Sequence, residues 1–236
     1  MPFPRAKSRS SPQRHLSSRA GVAGHHHGLF WPLLVLVGLM WLAYRQLFIF
    51  PVWFDETVGK AVFFGLPVWL YTTVTRTLAI PYSFSSTKLK AGLLLGVAVG
   101  GVYGFVGTIV NFLIRGVQVQ AAPLFSSLLF WWEFGLALLT GFWETLFFYS
   151  FVMNVIIITQ RRWSAMQQIL ITAGVFWVFH LPNVFLHFHG WFIIWQLGWL
   201  ALFATGQAFL FARHRNAYTL VLSHAIWGMV LLIHLR

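Results

Sequence analysis

The sequence predicts an all-α fold, a polytopic transmembrane helical bundle of about seven spans with the N-terminus cytoplasmic. Three observations predict it. Of the 236 residues, 58% are hydrophobic and only 8% are charged, against about 25% charged in an ordinary soluble domain. Apolar runs long enough to cross about 30 Å of hydrocarbon recur along the chain. The basic residues gather in the N-terminal tail and near the ends of those runs, as orientation signals do. The net charge of +12, from 16 Lys+Arg against 4 Asp+Glu, is explained by that placement and calls for no nucleic acid partner. With no cysteine in the chain, disulfides, thiol nucleophiles and thiolate metal sites are excluded.

Taken in order, residues 1–28 carry Arg5, Lys7, Arg9, Arg14 and Arg19, many serines and no acid, and read as a disordered basic cytoplasmic tail. An organelle transit peptide shares this composition, whereas a cleavable secretory signal does not fit, because the first apolar run is too long and starts late. His25, His26 and His27 form either a loose metal-binding run or a polar stretch before the first span. Residues 29–236 form the bundle, with spans at roughly 29–50, 61–80, 91–114, 125–159, 166–187, 190–212 and 217–235. The fourth is too long for a perpendicular crossing at about 1.5 Å per residue, so it is tilted or begins as an interfacial helix between Pro123 and Trp132. Trp53, Trp131, Trp132, Trp163 and Trp191 mark span ends, as interfacial aromatic belts do. A cytoplasmic N-terminus puts Arg76, Lys88, Lys90, Arg161, Arg162, Arg213 and Arg215 inside, leaving Arg45, Lys60, Arg115 and Arg236 outside. Short linkers and the absence of an evident repeat favour one compact bundle.

Ionisable groups are expensive in hydrocarbon, so each one within a span is a candidate for function. Asp55 and Glu56 fall in the first outer loop and are expected to be solvated. Glu133 and Glu144 share one face of the fourth span, close to three turns apart. Counting from Arg161 and Arg162 places Glu144 about 25 Å into the bilayer and Glu133 at the outer headgroups. His180 lies late in the fifth span and His224 well inside the seventh, while His187, His189 and His214 lie near span ends and receive no role. A lone histidine of this kind is more often a satisfied core residue; three ionisable groups on three spans are most economically housed by converging. A carboxylate with two imidazoles can polarise water for attack on a carbonyl, or hold a metal that generates hydroxide. Along the spans, however, Glu144 and His180 lie about 25 Å from the cytoplasmic end and His224 about 13 Å.

Glu144-Thr145-Leu146-Phe147-Phe148-Tyr149-Ser150 resembles the Glu-Glu-x-x-x-Arg motif of the CAAX protease and bacteriocin-processing (CPBP, or ABI) intramembrane peptidases. Phe176-x-x-x-His180 matches that family's second motif, and Gly206 to Gly228, with Arg215-Asn216-Ala217-Tyr218 and Ser223-His224-Ala225, is similar to its C-terminal block. The three blocks are in order and cover roughly residues 140–228. The resemblance implies an intramembrane endopeptidase in which Glu144 activates water with help from His180, while His224 binds the developing oxyanion. Thr145 stands where the second Glu belongs, Tyr149 where the Arg belongs, and Gly228 where the last Asn belongs. A carboxylate, a cation that pairs with it and an amide donor are thus absent from these motifs. Asn183, about one turn beyond His180, or Tyr149 is a replacement donor.

The resemblance leaves the cofactor open: none required, or a divalent metal such as zinc on His180, His224 and Glu144. The substrate is a membrane-associated peptide or protein segment, the surroundings a lipid bilayer, and the location a multi-pass place in the cell membrane, a bacterial cytoplasmic membrane best suiting the short loops. Three rivals stand beside this reading. A catalytically inactive relative would bind membrane peptides or partners. A haem or ion-handling protein would use His180 and His224 as a facing pair, and a small transporter would be expected to show repeat symmetry.

Overall fold

The computed structural model describes residues 27–115 and 127–234; residues 1–26 of the tail and Pro123 lie outside the described residues. Those described are helical, with no strand among them. Helix α1 is Phe30–Leu47. Helix α2 runs over 52–75, opening after Pro51, whose fixed φ suits a helix start. Two five-residue π-helical stretches, Asp55–Gly59 and Ala61–Gly65, flank Lys60 before α-helix resumes at Leu66–Thr75. Arg76, at φ 54°, ends it in the left-handed region. A short helical turn, Ala79–Tyr82, and a 3-10 turn, Ser86–Lys88, lead into α3, Leu89–Arg115. Helix α4 is Leu128–Thr159, π-helical over Thr145–Met153. A capping box, in which Ser164 and Gln167 each satisfy the other's backbone N–H, opens α5, Ala165–His187. Then follow α6, Trp191–His214, and α7, Ala217–His234.

Five segments are long and apolar enough to cross a membrane: Phe30–Leu47, Ala79–Val110, Leu128–Thr159, Ala165–His187 and Trp191–His214. They mark the chain as a membrane protein. Helix α4 differs from the other four. Some 72% of its most apolar window is buried, against 39% at most elsewhere, so α4 is the central post. Phe147, Phe148, Tyr149, Phe151, Val152 and Met153 are fully enclosed. Phe64 of α2 stacks on Phe147, and Phe176 of α5 meets Phe148 edge to face.

Helix α7 is drawn against α3 and α4 by glycines. A Cβ at Gly96 would lie 3.0 Å from the Thr219 carbonyl oxygen, and one at Gly100 3.0 Å from the Ser223 Cα. On the other side, a Cβ at Gly141 of α4 would stand 2.6 Å from the Val221 carbonyl oxygen. Small residues at these points let the backbones approach as they do in packed membrane helices.

The structure corrects two expectations near the second span. Because α2 begins at Val52 rather than near 61, Asp55 and Glu56 are helical instead of solvated loop residues. Asp55 is buried, accepting from the Tyr44 hydroxyl at 2.5 Å and from Arg45 at 2.6 Å. Lys60, expected to mark the outer face, is also buried.

Candidate functional site

Glu144 closes the α-helical part of α4, at the point where π-helical backbone begins. Its side chain is 4% exposed and three helices supply its partners. From α5, His180 Nε2 lies 3.2 Å from Oε2. From α7, His224 Nε2 lies 3.4 Å from the same oxygen. From α2, Lys60 Nζ donates to Oε1 at 2.6 Å. The ammonium also reaches Glu56 Oε2 at 2.5 Å, and the Thr140 hydroxyl donates to that carboxylate from α4. Glu56 and Lys60, one turn apart on α2, thus face Thr140 and Glu144, one turn apart on α4.

The imidazoles are held in defined orientations. His180 stacks on Phe176, with ring centres 4.1 Å apart, and its Nδ1 lies 2.8 Å from the Phe176 carbonyl oxygen. A carbonyl only accepts, so Nδ1 carries the hydrogen and Nε2 is directed at Glu144. Phe203 meets the His224 ring edge to face at 5.0 Å, while His224 Nδ1 is buried without a hydrogen-bond partner.

The difference in depth expected for His224 disappears because the α6–α7 turn is sunk beside α4. Arg215 adopts φ 49° and donates to Asn154 Oδ1 at 2.6 Å. Lys88 donates to the Arg215 carbonyl oxygen, and the Ala217 N–H to the Ser83 carbonyl oxygen. Ser83 in turn donates to Ser150 of α4. Helix α7 therefore starts level with Ser150 and Asn154, not at the end of α4. The nine residues from Arg215 to His224 then climb about as far as the ten from Asn154 to Glu144, some 14 Å at 1.5 Å per residue.

The remaining sequence candidates are placed as follows. Asn183 is half-buried on α5, its Oδ1 enclosed and without a hydrogen-bond partner, and it is not bonded to Glu144 or either histidine. Tyr149 is fully buried and directs its hydroxyl at the Ala204 carbonyl oxygen, 3.5 Å away, which takes it out of the set of replacement donors at Glu144. Thr145 Oγ1 is buried and unpartnered. Glu133 is half-buried on α4, and His187, His189 and His214 are exposed. Among the described residues no three His, Asp or Glu side chains form a group able to hold a metal ion, and an ammonium already sits on Glu144 Oε1. The alternative in which Glu144, His180 and His224 ligate zinc does not fit the side chains present.

The sequence reading missed Glu56, Lys60 and Thr140. The signal was available: Glu56 and Lys60 stand at i and i+4, the spacing of a helical ion pair. Starting the second span at Val52 would have made Lys60 an ionisable group inside a span, subject to the test applied to Glu144. No protein-family model matches the chain, nor does any curated protein or solved structure.

Proposed function

We propose that the chain is an intramembrane endopeptidase of the kind the CAAX-protease resemblance implies, cutting a peptide segment presented at or within the bilayer. The observation that carries this reading is the convergence of His180 and His224 on one oxygen of a buried glutamate, from three separate helices. Buried charge of this kind is costly, and within a membrane span it marks a candidate for function.

In this reading Glu144 Oε2 and His180 Nε2 share the proton removed from the attacking water. His180 then delivers it to the leaving amine, its ring held by the Phe176 carbonyl. His224 Nε2–H, facing the same space, stabilises the oxyanion of the tetrahedral intermediate. Asn183, whose enclosed amide oxygen has no partner, joins it by a small rotation of α5 or of its own side chain. All seven long helices span the membrane, with the N-terminus cytoplasmic, in a bacterial cytoplasmic membrane.

A second reading is favoured by the Lys60–Glu144 contact itself. Oε1 of Glu144 is taken by an ammonium at 2.6 Å, which ties the carboxylate to α2, as suits a relative that binds membrane peptides without cutting them. Mapping protein N- and C-termini in membranes of the native host, for wild type and Glu144→Gln at matched levels, separates the two. Endopeptidase action predicts a set of termini that vanishes in Glu144→Gln. Identical termini, with a phenotype for the deletion, would establish the binding reading instead.

A further inference from the structure

We propose that Glu56 and Lys60 are the second carboxylate and the cation of this site, supplied across space from α2, with Lys60 the positioning residue for Glu144. The proposal rests on the endopeptidase reading. The α4 motif has neither a second acid nor a cation, since Thr145 and Tyr149 occupy those places. Yet Glu144 has both within reach, with Lys60 at 2.6 Å and Glu56 on the far side of the same ammonium at 2.5 Å.

A staple that merely tied α2 to α4 would need one acid and one base. The neighbouring Arg45–Asp55 pair has that one-to-one form. Here two carboxylates share a single ammonium, so the lysine alone leaves one of the two negative charges unbalanced. In a buried site such a surplus is costly, and it sits where two imidazoles face it. The division of labour follows from the geometry. Lys60 takes Oε1, fixes the carboxylate plane and keeps Glu144 ionised, which leaves Oε2 to His180 and His224. Glu56, itself held by Thr140, anchors the ammonium so that it does not swing onto Oε2. Lys60 thereby fills the cationic role beside Glu144 that a metal ion would otherwise take.

Chain composition makes the test direct. Three glutamates are present (Glu56, Glu133 and Glu144), so isotope labelling of Glu isolates their carboxyl bands in the infrared spectrum of the purified full chain in lipid. Wild type should show Glu144 as carboxylate at neutral pH. Lys60→Met should add a protonated-glutamate carbonyl band that is absent from Lys60→Met/Glu144→Gln, and should reduce the Glu144-dependent termini by at least about tenfold. A glutamate spectrum unchanged by Lys60→Met overturns the proposal, since a purely structural lysine would leave the ionisation of Glu144 alone. Cobalt titration of wild type covers the case in which Lys60→Met does not fold. No stoichiometric cobalt spectrum is expected, and one cobalt per chain, lost in Glu144→Gln, overturns the proposal. The absence of Glu144-dependent termini in wild type would sink the endopeptidase reading, whereas the infrared and cobalt results bear on Lys60 independently.

Discussion

Tyr149 and Asn183, one buried beside the Ala204 carbonyl and one with an unsatisfied amide oxygen, are separated by the structure although their sequence positions made them equivalent. Tyr149→Phe should leave terminus production within about twofold of wild type, because the hydroxyl makes only a long contact worth about 1 kcal/mol at most. Asn183→Ala should lower it by about 100- to 1,000-fold, the range set by loss of an oxyanion donor. Quantitative terminus mapping of both variants checks the pair, and equal losses would return Tyr149 to the site. What was legible at this scale was the identity of Glu144, His180 and His224, because an ionisable group in an apolar run stands out by itself. Lys60 was hidden by its place at a supposed span boundary, where lysines are ordinary. The direction in which the Tyr149 hydroxyl points depends on π-helical backbone that no local pattern announced.

Between helices, the fit of α7 against its neighbours decides whether the histidine reaches the acid. Gly141 lies one turn before Glu144, and a Cβ there would meet the Val221 carbonyl oxygen at 2.6 Å and the His224 Cβ at 3.4 Å. Gly141→Ala should therefore push α7 outward, destabilising the protein by about 1–3 kcal/mol and diminishing the Glu144-dependent termini. Gly101→Ala is the control, since a Cβ there meets nothing within 4 Å, and its stability should hold or rise by up to about 1 kcal/mol. Thermal unfolding of the two variants in lipid makes the comparison. Six of the seven long helices lie within a few residues of the spans expected from hydropathy alone. The second was placed too late because Asp55, Glu56 and Lys60 lower the apolarity of its first turns, and beyond the Glu56–Lys60 pair within α2 those charges are met by contacts from α1 and α4. The depth of α7 was illegible for a related reason. It depends on hydrogen bonds among residues 83–88, 150–154 and 215–218, which are far apart in sequence.

For the molecule as a whole, the proposed arrangement of seven spans with a cytoplasmic N-terminus is open to an uncomplicated test. The chain contains no cysteine, so single-cysteine variants need no background removed. Trp53→Cys and Trp191→Cys should react with an impermeant maleimide added outside intact cells, whereas Arg162→Cys and Arg76→Cys should react only after permeabilisation. Labelling of all four from one side would overturn the orientation. The removal of Lys60 from the outer count, now that it is buried, strengthens the charge asymmetry on which this orientation rests.

The bond between Lys60 and Glu144 also bears on how such a protein is made. During synthesis α2 leaves the ribosome well before α4, and in the proposed seven-span arrangement a lysine within a span opposes entry into the bilayer, by up to about 2.5–3.5 kcal/mol at a helix centre. Helix α2 would thus arrive as a reluctant segment, its ammonium met by Glu56 alone until Glu144 emerges some eighty residues later. The pair that arranges the site would then also time its assembly, holding α2 at the insertion machinery until α4 is ready to receive it.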